Sequence, residues 1–150
     1  MRLSTHTDYA LRVLVYLAST GVPTTTVASV AEAYAISRNH LVKVVHRLGT
    51  LGFVRTARGR GGGFGLARRP EAITVGEVVR GFEDHRSLVE CLAEPGGRRC
   101  RIAPACGLAG AVVDATNAFL AVLDGYTLAD ITERRSALVA LLDVGSGHAP

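Results

Sequence analysis

Residues 35–48 read AISRNHLVKVVHRL, and this stretch decides which fold the surrounding sequence can adopt. Ala35 to Ser37 form a short turn, and Ser37 belongs to the residue types that cap helix N-termini. We predict a helix over Arg38–Leu48 because its apolar residues recur at helical spacing. These residues are Leu41, Val44, Val45 and Leu48. The opposite face is polar and basic.

Two shorter amphipathic segments precede this helix. The first is predicted over Asp8–Ser19, with Thr7 as its N-cap and with Gly21 and Pro23 ending it. The second is predicted over Val27–Tyr34. A helix, a short turn and a capped helix make the helix-turn-helix pattern of DNA-binding proteins.

A strand, a turn and a second strand are predicted after the third helix. Phe53–Thr56 and Phe64–Ala67 are strand-like, and residues 58–63 between them are basic and rich in glycine. The glycines between 59 and 65 follow no βα unit, so we interpret them as a tight turn rather than a dinucleotide-binding loop. Such a hairpin forms the wing of a winged helix-turn-helix. We assign that fold to residues 1–70, ending at Pro70.

The two halves of the chain differ in charge. Residues 1–70 carry ten Lys and Arg against two acidic residues, whereas residues 71–150 carry seven Arg against eleven Asp and Glu. A basic half joined to an acidic half favours a nucleic-acid-binding part with a second part of another function. The chain has no apolar run of 18 residues and no signal-peptide pattern, so we expect a cytoplasmic protein with no membrane partner.

The polar face of the third helix and the wing are the predicted DNA-binding surface. Residues near the N-terminus of such a helix face base edges in the major groove, and Arg and Asn make bidentate contacts with guanine and adenine. Arginines on a wing contact the phosphate backbone or the minor groove. The candidate contacts are Ser37, Arg38, Asn39, His40, Lys43, Arg47, Arg55, Arg58 and Arg60. The other interpretation is a solvated surface with a hairpin of no special role.

Residues 71–150 are predicted to be helical around an irregular segment. Thr74 and Glu77 form a capping box that opens a helix to about Glu83. A long helix over Gly107–Asp124 has an apolar surface too wide for a lone helix, and a second copy of the chain is its simplest partner. Thr127 caps a last predicted helix, Leu128–Leu142.

The cysteines lie together in the irregular segment, residues 84–106. They are Cys91, Cys100 and Cys106, and their odd number makes a disulfide framework improbable. Their spacing lacks the CxxC pairs that zinc sites favour, whereas three thiolates on a loop suit an iron–sulfur cluster. Zinc binding and metal-free thiol redox sensing remain alternatives.

Motifs along nearly the whole chain carry a specific resemblance. They include TDYALR at 7–12, SRNHLVKV at 37–44 and CRIAPAC at 100–106. The other matching stretches are 1–4, 59–63, 119–120 and 123–130. The sequence resembles the Rrf2 family of bacterial transcription regulators and, within it, the repressors that sense nitric oxide. The gap between Cys91 and Cys100 is longer than that family usually shows.

The resemblance implies a homodimeric winged-helix repressor that holds a [4Fe-4S] cluster on the three cysteines. Nitric oxide attacks the cluster, affinity for a palindromic double-stranded DNA operator falls, and genes for nitric oxide detoxification are released. It also implies that Asp8 of the other subunit is the fourth ligand; otherwise Asp8 only stabilises the start of the first helix. Rival ligands are Asp84, His85, Glu90 and Glu94. The family's cluster-assembly regulators carry a ligand histidine where this chain has Ala109.

Alternative functions follow from the same residues. A regulator of the same fold could respond to iron or iron–sulfur status, and a DNA-binding protein could use its thiols as a redox switch without metal. A third alternative, a small iron–sulfur electron carrier, would not explain the helix-turn-helix and the wing. We expect no enzyme, because no catalytic triad, HExxH motif or phosphate loop is present.

Overall fold

The computed structural model describes residues 2–57, 62–84, 89, 92 and 100–142. The helices are α1 (Thr5–Thr20), α2 (Val27–Tyr34), α3 (Arg38–Thr50), α4 (Val75–Phe82), α5 (Leu108–Asp124), α6 (Leu128–Ile131) and α7 (Arg135–Leu141). The strands are β1 (Val54–Ala57) and β2 (Gly63–Leu66), and a 3-10 turn covers Pro70–Ala72. This mainly helical chain with a small hairpin confirms the predicted fold class. In the described ranges, no helix is long and apolar enough to span a bilayer.

The hydrophobic core lies between the first three helices. The apolar stripe predicted for α3 is buried, and α1 and α2 turn their own apolar residues towards it. The buried residues of α1 and α2 include Ala10, Val13, Leu14, Leu17 and Val30. The same core takes in Ile73, Val78 and Leu128, so it continues across the boundary predicted at residue 70. The division of function between residues 1–70 and 71–150 stays a prediction.

The wing hairpin is antiparallel and packs close to the chain that precedes α2. Val54 of β1 pairs with Leu66 of β2, and Thr25 exchanges two backbone hydrogen bonds with Phe64. A side chain at Gly65 would begin 3.1 Å from the carbonyl carbon of Pro23, which is too close. The interpretation as a tight turn was therefore wrong for Gly63, whereas Gly65 lies in the strand predicted over Phe64–Ala67; both glycines lie beside residues 23–25.

The predicted boundaries of α1 and α3 differ from the observed ones. Helix α1 begins at Thr5, and its N-cap is Ser4, whose hydroxyl accepts from the Thr7 amide. Thr7 is fully buried inside the helix instead of capping it. Gly49 continues α3, and the chain leaves the helix at Gly52, where φ is +75°.

The last predicted helix is two short helices in the structure. Thr127 caps α6 through a reciprocal capping box with Asp130, as its sequence indicates. At Thr132 the chain leaves helical geometry, and the Thr132 hydroxyl donates to the Leu128 carbonyl at 2.7 Å. A hydroxyl that binds a carbonyl of the preceding turn competes with helix continuation. Helix α7 then starts at Arg135.

Helices α4 and α5 meet at a close backbone contact. Arg80 of α4 donates two hydrogen bonds, of 2.6 and 2.5 Å, to the carboxylate of Asp124 at the end of α5. The hydrogen bonds from Arg80 lower the pKa of Asp124 from its usual value. Gly76 faces the same carboxylate, and a Cβ there would lie 3.0 Å from the Asp124 amide nitrogen. This contact holds the end of α5 against α4.

We predict that Gly76→Ala lowers the free energy of unfolding by about 1–3 kcal/mol, because the added methyl group overpacks the contact with Asp124. Gly49→Ala is the matched control, since a Cβ there comes no nearer than 4.0 Å to another atom. That control should gain roughly 0.5–1 kcal/mol from helix propensity. Urea unfolding of the two variants measures both effects, and equal stabilisation would contradict the close contact.

Candidate functional site

The N-terminal half of α3 presents a mainly polar face to solvent, with Val42 also exposed on it. Because Leu41 and Val44 are buried, the side chains of Arg38, Asn39 and Lys43 are exposed on the other side. Ser37 occupies the N-cap position, yet its hydroxyl makes no capping bond to the first turn of α3. The amides of that turn and the Ser37 hydroxyl are thus available to an anion.

His40 lies on this face but also contacts α1. Its ring stacks on the Tyr9 ring at a centroid distance of 6.2 Å, and the His6 ring meets it edge-on at 6.5 Å. The contacts orient His40 at the junction of α1 and α3. A contact between His40 and DNA stays a prediction.

Arg47 has a partner within the chain. Its Nε and Nη2 atoms donate to the carbonyl oxygen of Gly81 at 2.9 and 2.6 Å, and its guanidinium lies 5.4 Å from the centre of the Phe82 ring. A contact between Arg47 and DNA stays a prediction. In the structure, the Arg47 guanidinium is directed at the end of α4.

The wing contributes one described arginine to the candidate surface. Arg55 lies on β1 opposite Gly65 and is exposed. The predicted contacts Arg58 and Arg60 lie outside the described residues, and so does most of the basic turn.

Cys100 and Cys106 lie on a segment of successive turns before α5. Both thiols are free and half-buried. The Ala103 amide donates to the Cys100 carbonyl at 3.2 Å, and the Ala105 amide donates to the Ile102 carbonyl at 3.0 Å. Cys91 lies outside the described residues, as do the rival ligands His85, Glu90 and Glu94. Within the described ranges, no three His, Cys, Asp or Glu side chains gather into a metal-binding group.

Asp8 lies in the first turn of α1, on the edge of an open cleft of about 560 Å³. Its carboxylate is 3.0 Å from Nε of Arg12, and the Asp8 side chain is 48% exposed. The Arg12 guanidinium also lies 5.8 Å from the centre of the Tyr34 ring. Burial raises the pKa of Tyr34 to about 12, so the phenol stays neutral beside this ion pair. Asp8 is accessible from outside the chain.

Glu83 has a structural role in this region that no sequence pattern indicates. Its carboxylate oxygen Oε1 accepts from the Ser4 amide at 2.6 Å and from the buried Thr7 hydroxyl. A carboxylate at a helix N-terminus is favourable because the first amides of the helix lack partners. Glu83 lies 79 positions after Ser4 and 76 positions after Thr7, so no local sequence pattern indicates these contacts.

An apolar surface of α5 is exposed in the single chain. Of its residues, Thr116 and Leu120 are buried, while large side chains along the helix face solvent. Leu108 and Val122 are more than half exposed and share one side of the helix, whereas Val113 is exposed on the opposite side. Ile102, just before the helix, is 64% exposed and extends this surface towards the cysteine segment.

Comparison with known proteins identifies a family and close relatives. Residues 3–134 match the Rrf2 family, which is described as "Iron-dependent Transcriptional regulator". The HTH-type transcriptional regulator NsrR of Bacillus subtilis is 47% identical over 143 residues, which cover 95% of this chain and 97% of that protein. The protein of the same name from Geobacillus kaustophilus is 48% identical, with the same coverage of each chain.

Solved structures show the same fold. CymR, the global cysteine regulator of B. subtilis, superposes with a TM-score of 0.68 at 29% identity and covers 89% of this chain and 98% of its own. IscR of T. potens gives a TM-score of 0.70 at 27% identity, over 89% and 88% of the two chains. These relatives are regulators rather than enzymes, in agreement with the prediction. The chain belongs to the Rrf2 family of transcriptional regulators.

Proposed function

We propose that this protein is a homodimeric transcription repressor that binds a palindromic DNA operator and senses nitric oxide through a [4Fe-4S] cluster. The exposed polar face of α3, set opposite its buried stripe, is the observation that carries DNA binding. The cysteine segment and the resemblance to nitric-oxide-sensing repressors support the sensing part.

The DNA contacts are proposed to come from α3 and the wing. Arg38 and Asn39 lie in the first turn of α3, where a recognition helix meets base edges in the major groove. Ser37 and Lys43 contact phosphates, and the wing arginines follow the backbone or the minor groove. His40 and Arg47 border this surface. The wing set is Arg55, Arg58 and Arg60.

The exposed apolar surface of α5 is proposed to pack against the same helix of a second copy. Side chains such as Leu108 and Val122 gain roughly 25 cal/mol for each Å² removed from water. A two-fold dimer presents two copies of α3, and it therefore requires an operator with two-fold symmetry.

The donor set fits an iron–sulfur cluster better than zinc. Cys100 and Cys106 supply free, half-buried thiols on an irregular segment, and Cys91 lies nine residues before Cys100 in sequence. Thiolates on such segments are the ligands of iron–sulfur clusters. When bound, a [4Fe-4S] cluster supplies iron that reacts with nitric oxide.

Asp8 of the partner subunit is proposed as the fourth ligand. It is half-exposed beside an open cleft, so a group held by another subunit can reach its carboxylate. To bind iron, the Asp8 carboxylate would have to leave its ion pair with Arg12 of its own chain. An oxygen ligand among sulfur ligands binds iron weakly, which leaves that iron accessible.

A second candidate function is regulation by iron or cluster status on the same fold. The family's description as iron-dependent favours it. The two candidates differ in signal: DNA affinity responds to nitric oxide in the first and to cluster loading in the second.

We predict that Arg38→Ala and Lys43→Ala each weaken operator binding, since each removes a positive contact from the exposed face of α3. Loss of the proposed phosphate contact in Lys43→Ala should lower the slope of log K against log salt by about 0.9. Arg134→Ala is the charge-matched control outside this face and should bind like the parent. Gel-shift titrations on palindromes with half-sites about 34–36 Å apart measure this. Unchanged binding by both α3 variants would contradict the assignment.

We predict that Cys91→Ala, Cys100→Ala and Cys106→Ala each lose iron, sulfide and the brown colour after purification without oxygen. The reason is that three thiolates are needed to hold the cluster. Iron analysis and visible spectra measure the loss, and titration of the parent with nitric oxide should lower its operator affinity. A Cys91→Ala protein with full iron content, or a parent that contains zinc, would refute the ligand set.

We predict that Asp8→Asn changes the visible spectrum of the loaded protein and makes its iron easier to remove by chelators. The Asp8–Arg12 pair is half-exposed, so its loss should change the free energy of unfolding by less than about 1 kcal/mol. Spectra, chelation rates and thermal unfolding of parent and variant separate the two effects. If spectrum, chelation and DNA affinity are all unchanged, Asp8 serves only as a charge at the start of α1.

A further inference from the structure

We propose that the end of α4, residues 81–83, is a junction that positions both α1 and α3 for DNA binding, with Arg47 and Glu83 as its positioning residues. The proposal rests on the proposed DNA-binding function and assigns Arg47 a role other than a phosphate contact.

The first contact of the junction links α3 to α4. Gly81 is the second-last residue of α4, so its carbonyl has no acceptor role within that helix. Arg47 supplies two N–H donors to this one oxygen, at 2.9 and 2.6 Å. Its guanidinium also covers the face of Phe82 at 5.4 Å. A charged donor beside a helix C-terminus is stabilised by the helix dipole.

The second contact links α1 to the residue that follows α4. Glu83 accepts from the Ser4 amide at 2.6 Å and from the Thr7 hydroxyl, and Thr7 is fully buried. Glu83 therefore acts as a cap for α1 from a distant part of the chain. Three successive residues thus hold the start of α1 and the last turn of α3.

An open cleft lies beside the junction, where the three helices meet. Its volume is about 390 Å³, and its lining includes Ser4, Lys43, Arg47 and Phe82. The directional hydrogen bonds of Arg47 and Glu83 border this cleft and add a fixed geometry to the apolar packing of α1, α3 and α4. Lys43, a proposed phosphate contact, lies one turn before Arg47 on α3, and any shift at Arg47 moves it.

The position of the junction in the chain gives it a connection to the cysteine segment. Glu83 is followed at once by the residues that lead to Cys91, and α1 carries Asp8 one residue after Thr7. Both proposed ligand groups are therefore joined to the junction through the backbone.

The test compares Arg47→Lys and Arg47→Ala in the full chain by operator binding over a range of salt. Lysine keeps the charge but cannot donate two fixed bonds to one carbonyl. A positioning role predicts that both variants lose affinity, on the order of tenfold, with the parental salt slope. A direct phosphate contact predicts near-parental binding by Arg47→Lys and a slope lowered by about 0.9 in Arg47→Ala. That second result would overturn the proposal.

Glu83→Ala gives an independent test, because alanine removes the oxygen that accepts from Ser4 and Thr7. Removing a negative charge near DNA strengthens binding by electrostatics alone, whereas loss of the junction weakens it. We expect weaker binding, and Glu71→Ala, at an exposed surface pair, is the charge-matched control. Thermal unfolding checks that each variant is folded at the assay temperature, and if Arg47→Ala or Glu83→Ala does not fold, Arg47→Lys decides. Binding by Glu83→Ala as tight as by Glu71→Ala would refute the junction, whereas a parent that binds no operator would refute the proposed function.

Discussion

The burial of α1 is the constraint on which the rest of the structure depends. Helix α1 packs against α3 on one side and against α4, α6 and α7 on others. Its inward residues Val13, Leu14 and Leu17 are almost completely removed from water. Since each such side chain contributes about 1.5–3 kcal/mol on burial, no neighbour can move far without exposing α1.

The same helix begins at the polar cluster formed by Ser4, Thr7 and Glu83. A hydroxyl that is fully buried is costly unless it is hydrogen-bonded, and Thr7 meets that cost through the Glu83 carboxylate. The apolar stripe fixes how α1 lies against the core, and the cluster fixes where it starts. Asp8 follows directly, so the position of the proposed ligand is set by both.

The parts of the fold that depend on residues adjacent in the sequence could be predicted from the sequence. Helix α2 and the capping box of Thr74 with Glu77 were predicted correctly, because a few adjacent residues decide them. The N-cap of α1 was predicted wrongly, because Ser4 and Thr7 are both capping types and the contacts that bury Thr7 come from Glu83, 76 residues away. The partner of Arg47 lies 34 residues away and is equally invisible to periodicity.

The candidate site shows the same division. The polar face of α3 follows from its apolar stripe, so the exposed positions of Arg38, Asn39 and Lys43 were predictable. The role of Gly65 was not, because it depends on how closely residues 23–25 approach β2.

The cysteine segment and the exposed surface of α5 are physically joined. Only Gly107 separates Cys106 from Leu108, and Ile102 lies between the two described cysteines with 64% of its surface exposed. A group that holds both thiols would fix the turns between them and, through Gly107, the first turn of α5. Conversely, a second copy packed on Leu108 and Ile102 would restrict the same turns. Metal binding and dimer contact would therefore order one short segment, and each would reduce the entropy that the other has to overcome.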